Sequence, residues 1–525
     1  MKLATQTIVE AAFPWLTLLI LVAVAAALLV CVVRPLRSYA REFSLGVSLL
    51  ILVLYVVALG TSFDFSSGGS TQLAETYPWI PAMGASLAWG VNGMGAVMVG
   101  LAVFLVPVVV LAGWNDIEPE RQGGYFGWIL FLEANMIALF AARDVFLFYV
   151  LFELMIVPMY FLIGRYGGAG RAHAAMKFLL YSILGGLIML VGVIGLYVMG
   201  PGGPQNYLLD VLHSSPGLGG TLEMLFFLSF FIGFAIKAPM WPVHTWLPDT
   251  TEQAPAGTST LLVGVLDKLG TFGMIAICVP LFPRAAAQAA PVIIALAVIS
   301  IFWGALMAIA SDNLMRLVAY TSVSHFGFIV MGIFSGSALA MSGAILYMVA
   351  HGVGTAGLFL VVGFLGQRGD SHLISRYGGW QRVTPILAGT FMIAGLATIA
   401  LPGLSGFVPE YLVLMGTFKV NMVAAFFAVV GVVLAAVYIL LPYQRAFTGP
   451  KPEDVEATDL NAREKTVMGI LIAAMLALGF FPAPVLNAVN PVADATAVVL
   501  TVVAENSGSA GAASYSDAAN EGSNE

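Results

Sequence analysis

Charge is scarce in this sequence. Asp, Glu, Lys and Arg together make up 9% of its 525 residues, against roughly 25% in a soluble domain. No basic cluster occurs, which argues against nucleic acid as a partner. Only two cysteines are present, Cys31 and Cys278, both inside apolar runs. Two thiols cannot by themselves hold a metal or an iron–sulfur cluster, so they read as buried apolar filler. There is no Walker motif, no strand–glycine-rich–helix fingerprint and no paired histidine with a haem-like context. Gly167-Gly168-Ala169-Gly170 lies in a loop with no strand before it. No cofactor and no metal are therefore expected in this chain. The N-terminus makes a poor signal peptide, with one lysine, an early Glu10 and no small-residue cleavage site, and is expected to lead into a first span.

What is abundant is apolar sequence, 60% of the chain, in runs of about 20 residues from end to end. The expected fold class is an all-α polytopic membrane protein. Fourteen spans are expected, at about 13–34, 44–62, 91–113, 123–142, 144–164, 174–199, 221–248, 257–280, 291–310, 314–335, 338–366, 384–417, 421–446 and 465–488. With these spans, fifteen Lys and Arg fall on one side, among them Arg34, Arg37, Arg165, Arg171, Arg368, Arg376 and Arg445. Four fall on the other (Lys2, Arg143, Arg284, Lys419), and Lys237 and Lys268 lie within the membrane, which accounts for all 21. The asymmetry places both termini on the non-cytoplasmic side. The Gly/Ser-rich loops 62–90 and 200–220 then fall outside. The polar stretch 506–525 has little to bury and is expected to be a disordered tail.

The chain is organised around Phe234–Lys268. It contains Lys237, Pro239, Pro242, His244, Pro248 and Asp249 within what should be membrane helix. Each proline removes a backbone donor and clashes with the preceding turn, so the seventh span must be broken. Charged, irregular backbone at bilayer depth is tolerated only inside protein or along a wet cavity. Pro402, Gly403 and Gly406 break the twelfth span in the same way, with Glu410 just beyond. Two broken helices at matching positions of two five-span units point to an ion path near the midplane. The units are 123–280 (spans four to eight) and 291–447 (spans nine to thirteen), after an N-terminal unit 1–122 and before the last span. An odd number of spans per unit makes the two repeats inverted.

An ionised side chain at the bilayer centre costs about 2.5–3.5 kcal/mol. Glu153, Lys237, Lys268 and Glu410 must therefore be paired or hydrated. Glu153 pairs most simply with Lys237, and such a pair can be tuned by opening and closing. Lys268 is expected to point into the protein interior and to carry a proton. Asp267, about 100° from it on a helix, is a local countercharge or faces another subunit. His244 lies seven residues beyond Lys237 and shares its face if the break preserves phase. His325 and His351 sit among small residues at buried depth, where imidazole suits a proton relay. Glu133 and Asp144 are secondary candidates, and Asp144 beside Arg143 can equally be interfacial.

Three segments together resemble a known family: Phe152–Pro158 with Glu153, Ala235–Thr250 (AIKAPMWPVHTWLPDT) and Glu252–Pro255. They are similar to the antiporter-like membrane subunits of respiratory complex I, and the likeness runs from about Gly93 to Phe447. Glu410 is similar to the glutamate that some members carry where their siblings carry lysine. The resemblance implies fourteen helices in two inverted five-helix repeats and a proton-translocating role. It implies Glu153 and Lys237 as the coupling pair, Lys268 as central lysine, His325 and His351 as connecting groups and Glu410 at the exit. It also implies that NADH, FMN, iron–sulfur clusters and quinone are bound by other subunits, that sibling membrane subunits are the partners, and that the location is the bacterial plasma membrane. Two departures stand out: Asn92, where the family often has Asp, and Asp267, where an apolar residue is usual. A subunit of a multisubunit cation/proton antiporter shares the same core and is the alternative. A scaffold whose buried charges are static ties is the second.

Overall fold

The computed structural model describes residues 7–215, 219–452 and 456–501; the expected tail 506–525 lies outside them. Seven helices come first: α1 (Trp15–Val32), α2 (Ala40–Ser62), α3 (Gly93–Ala112), α4 (Pro119–Ala141), α5 (Val145–Tyr166), α6 (Arg171–Met199) and α7, in two halves, Gly220–Lys237 and Trp246–Gln253. Then follow α8 (Ala256–Leu281), α9 (Pro283–Ala310), α10 (Leu314–Phe334), α11 (Ala338–Gly369), α12, in halves Pro385–Thr398 and Phe407–Val420, α13 (Met422–Phe447), α14 (Ala462–Phe480) and α15 (Ala483–Thr501). Helices α1 to α13 match the first thirteen expected spans, and α14 matches the first part of the last. The centre is formed by α8, α10 and α11, which are enclosed almost completely, while α1, α2, α6, α9 and α13 turn apolar side chains outward.

Two expectations at the N-terminal face need correction. The loop 62–90 is not irregular. It forms a hairpin of β2 (Thr71–Ile80) and β3 (Ala85–Val91), with Glu75 opposite Trp89 and Tyr77 opposite Leu87, joined by β1 (Ile8–Glu10) parallel to β2. Gly and Ser are concentrated before Thr71, and Thr71–Ile80 is long enough to pair. Glu75 also accepts the backbone N–H of Leu16 at 2.9 Å and of Thr17 at 3.3 Å, capping α1 from the sheet. Second, the expected span 465–488 ends at Phe480, before Pro482, and the chain enters α15. A Cβ on Gly93 would lie 1.7 Å from the Ala488 carbonyl, and one on Gly336 would lie 3.6 Å from the Thr501 side chain. Both glycines belong to the N-terminal face, so α15 runs across that face and does not cross the bundle.

The interruptions follow from proline chemistry. Pro158 has no N–H to give the Leu154 carbonyl, and α5 is interrupted at Met155, two residues after Glu153. The second half of α7 is short and would drift if left alone. Asp249 accepts from Lys177 at 2.6 Å and from Arg316 at 2.6 Å, and Arg316 also bonds Glu252 at 2.8 Å. The Gln253 side chain accepts from Gly170 N at 2.8 Å. These contacts anchor the motif to α6, α10 and the loop between α5 and α6. In α12 the break is tight: Gly403 has φ +91° and Ala400 φ +59°. The latter is a left-handed conformation costly for alanine.

Helices α9 and α10 approach backbone to backbone. A Cβ at Gly327 would fall 2.6 Å from the Ala297 carbonyl, whereas one at Gly389 would meet nothing within 4 Å. Gly327→Ala is therefore expected to lower stability by about 1–3 kcal/mol through overpacking. Gly389→Ala should be neutral or gain up to about 1 kcal/mol from helix propensity. Thermal unfolding of the detergent-solubilised protein reads both signs.

Candidate proton path

Lys268 lies on α8 between two stretches of π-helix, Leu262–Leu266 and Met274–Cys278. Wide turns of this kind occur mostly at functional positions because they disturb the regular backbone ladder. The Lys268 ammonium donates to the Val263 carbonyl at 2.5 Å and lies 2.7 Å from His351 Nδ1. It also sits 5.4 Å from the Phe326 ring centre. While Lys268 is charged, Nδ1 of His351 is the acceptor, which assigns the ring proton to Nε2.

From His351 the polar groups continue. Its ring centre is 5.2 Å from that of His325, whose Nε2 is 3.0 Å from the Tyr438 hydroxyl. The Tyr347 ring lies 5.8 Å from His325, and its hydroxyl donates to Glu410 Oε2 at 2.7 Å. A cavity lies alongside, lined by His325, Tyr347, His351, Thr355, Thr398 and Gly406, with about 10 Å³ for the centre of a water-sized sphere. That is room for about one water. Lys268, His351, His325, Tyr347 and Glu410 thus form one line through α8, α11, α10 and the second half of α12, with Tyr438 of α13 at its side. Every member is buried.

The other predicted residues divide. Lys237 closes the first half of α7 and is buried, with its Nζ 4.8 Å from the Phe178 ring centre and 5.7 Å from that of Trp246. Trp246 is held in place by its indole N–H, which donates to the Ile236 carbonyl at 3.0 Å across the break. The expected direct pair with Glu153 does not form: Lys237 Nζ and Glu153 Oε1 are both buried without a hydrogen-bond partner. The reason is the side-chain direction. Lys237 turns to two aromatic faces, while Glu153 lies against Gly186 of α6, where a Cβ would sit 1.7 Å from Oε1. His244 does not share a face with Lys237, because its ring lies 6.3 Å from Trp303 and 6.4 Å from Tyr320. The turn between the halves of α7 breaks the helical phase.

Asp267 is fully buried, which removes the option that it faces another subunit, and neither carboxylate oxygen has a partner. Glu133 is also fully buried and unpartnered, off the line. Asp144 is a structural cap. Its carboxylate accepts Leu147 N at 2.9 Å, capping α5, and Ser86 N at 2.8 Å, fastening β3. Burial pushes this carboxyl up to about 6, against the pull of those N–H groups. Asn92 caps α3 by accepting Gly95 N at 2.9 Å, work that Asp would do equally well.

Tyr347 and Tyr438 were not singled out from the sequence. Tyr347 had a usable signal, since it precedes His351 by four residues and so shares its helix face. Tyr438 had none, because its place beside His325 arises only from packing of α13 on α10.

Comparison with known proteins bears on this geometry. Residues 142–435 match the family model described as NADH:quinone oxidoreductase/Mrp antiporter, transmembrane. The chain is 44% identical to the NADH-quinone oxidoreductase subunit M of Mycobacterium tuberculosis, covering 92% of this chain and 94% of that protein. It superposes on a chain of respiratory complex I from Thermus thermophilus with a TM-score of 0.84 at 31% identity, covering 92% of this chain and 99% of that one. A chain of the Mrp complex from a Dietzia species shares the fold, with a TM-score of 0.83 at 19% identity and coverage of 93% and 99%.

Asp144 offers a direct test of cap against path. Asp144→Ala should cost about 1 kcal/mol of stability, the usual loss for an N-cap, while Asp144→Asn keeps the acceptor and should cost little. Thermal unfolding of the two variants separates them, and a proton-carrying role would instead make Asn as damaging to transport as Ala.

Proposed function

This chain belongs to the NADH:quinone oxidoreductase/Mrp antiporter transmembrane family, and from that premise we propose that it is the proton-translocating M-type subunit in the membrane arm of a respiratory NADH:quinone oxidoreductase. The observation that carries this reading is the line from Lys268 through His351, His325 and Tyr347 to Glu410 inside enclosed helices. Ordinary packing of a scaffold does not need a lysine, two histidines, a tyrosine and a glutamate in series.

In this reading Lys268 holds the proton, with Val263 and His351 solvating it. His351 Nδ1 accepts it when Lys268 becomes neutral, and the His325–Tyr347 pair hands charge on to Glu410. Glu153 acts on Lys237 from beyond contact, and Lys237 sets the charge balance at the break of α7. Helices α4 to α8 and α9 to α13 act as two inverted repeats, each with one broken helix. The arginine-rich face is cytoplasmic, both termini lie on the other side, and the membrane is the bacterial plasma membrane. The partners are sibling antiporter-like subunits and the rest of the membrane arm. NADH, FMN, iron–sulfur clusters and quinone act on other subunits, and their redox chemistry shifts the charge balance here. Moving one charge against 100 mV costs about 2.3 kcal/mol, a sum that rearrangement of buried charges at an effective dielectric constant of about 20 can supply.

The test is to tag the chain, isolate it in mild detergent and assay NADH:quinone oxidoreductase activity. Activity that co-purifies is expected; cation/proton exchange with no NADH activity would overturn the reading in favour of an antiporter. Within the isolated complex, Lys237→Ala and Lys268→Met should each lower NADH-driven proton uptake about tenfold or more, equivalent to about 1.4 kcal/mol on the limiting barrier. Uptake at the normal rate in both would contradict the assigned roles.

A further inference from the structure

We infer that Asp267 is a proton-carrying carboxylate between Lys237 and Lys268, placed to link the break of α7 to the line that starts at Lys268. The inference rests on the proton-path reading above and adds a member to it.

Helix geometry sets the first part of the argument. Gly270 lies three residues beyond Asp267 and so neighbours it on the surface of α8, with Gly273 one further turn along from Gly270. A Cβ at Gly270 would come 2.4 Å from the Phe234 carbonyl and 2.7 Å from Ala238 N, and one at Gly273 would strike the Phe234 ring at 2.4 Å. That side of α8 is therefore pressed on the last turn of the first half of α7, where Lys237 stands. Lys268, the next residue, points about 100° around the helix, to His351 and Phe326. The doublet thus presents a carboxylate to one neighbour and an ammonium to another, with their separation fixed by the chain.

Burial supplies the second part. Both Asp267 oxygens are enclosed and without a hydrogen-bond partner, as is Lys237 Nζ. A carboxyl buried in that way is held either beside compensating charge or with a proton on it, the two states a proton carrier alternates between. Lys237 ends the half of α7 on which Gly270 is pressed, and Lys268 is the next residue to Asp267 in the chain. Asp267 thus adjoins Lys268 in the chain and neighbours the turn of α7 that carries Lys237, whereas the sequence paired Lys237 with Glu153 alone.

The step balances without any co-reactant. The two groups are not in hydrogen-bond contact at rest. Once a side-chain movement or a bridging water joins them, the Lys237 ammonium loses an N–H proton to the Asp267 carboxylate, leaving a neutral amine and a carboxylic acid. The acid then gives its proton to Lys268, made neutral by transfer to His351. This restores the carboxylate and the Lys268 ammonium, so the net change is one proton from Lys237 to His351.

The experiment uses the intact complex in membrane vesicles carrying Asp267→Asn, Asp267→Glu or Lys268→Met. Asp267→Asn preserves size and removes the titrating group, so NADH-driven proton uptake per assembled complex should fall about tenfold or more. Asp267→Glu should restore uptake with an altered pH profile, because a carboxyl with a longer reach titrates differently. A static tie would leave the pH profile unchanged. Normal uptake in Asp267→Asn overturns the inference, and if Lys268→Met fails in parallel, the wider proton path still stands. Normal uptake in both variants overturns both. Where Asp267→Asn does not assemble, the pH profile of Asp267→Glu decides alone: an altered profile supports proton carriage and an unaltered one refutes it.

Discussion

An ammonium group at the depth of a bilayer has to be solvated by protein, and the arrangement of this bundle depends on how that is done for Lys268. The cost of an isolated charge there is about 2.5–3.5 kcal/mol on insertion scales. Lys268 meets it with one backbone carbonyl and one imidazole nitrogen. The carbonyl of Val263 belongs to a π-helical stretch, in which the regular hydrogen-bond ladder is disturbed. His351 comes from α11, which has to pass close to α8. Gly352 permits that approach: a Cβ there would lie 2.8 Å from the Gly264 carbonyl. The site and the helix packing are therefore the same structural fact.

Lys237 is solvated by different means. Two aromatic faces, Phe178 and Trp246, take the place of carbonyls, and such contacts gain strength where water is excluded. Trp246 can serve only because the second half of α7 is held still. That task falls to Asp249 and Glu252, whose partners Lys177 and Arg316 lie at the arginine-rich face. Polar groups at the helix end thus secure an aromatic surface deeper in the membrane. The break in α12 places Glu410 in the first turn of its second half, a position favourable to an anion. There its carboxylate is held by Tyr347.

Much of this was legible in the sequence. Length and apolarity located fourteen spans, because bilayer thickness imposes a single length scale. Pro239, Pro242 and Pro402 marked the broken helices, since proline acts on its own backbone wherever it falls. The lysines, His325, His351 and Glu410 stood out against a background almost free of charge. What stayed hidden depends on neighbours in space. The phase of His244 relative to Lys237 is set by an irregular turn, and no periodicity passes through it. The side chain of Glu153 settles against Gly186 of α6, so the simplest pairing of opposite charges is not the one formed. Tyr438 gains its place from packing of α13 alone. At the N-terminal face, the pairing of β2 with β3 and the path of α15 depend on contacts between distant segments, which composition does not reveal.

The central claim is that charge moves along the buried line and reaches Glu410. Infrared difference spectroscopy of the intact complex, triggered by NADH in the presence of quinone, tests it most directly. A carboxyl band that changes on turnover, and that Glu410→Gln removes, is the predicted result. If turnover is normal while the Glu410 carboxyl stays silent throughout, the line is a static structural network and the account is contradicted.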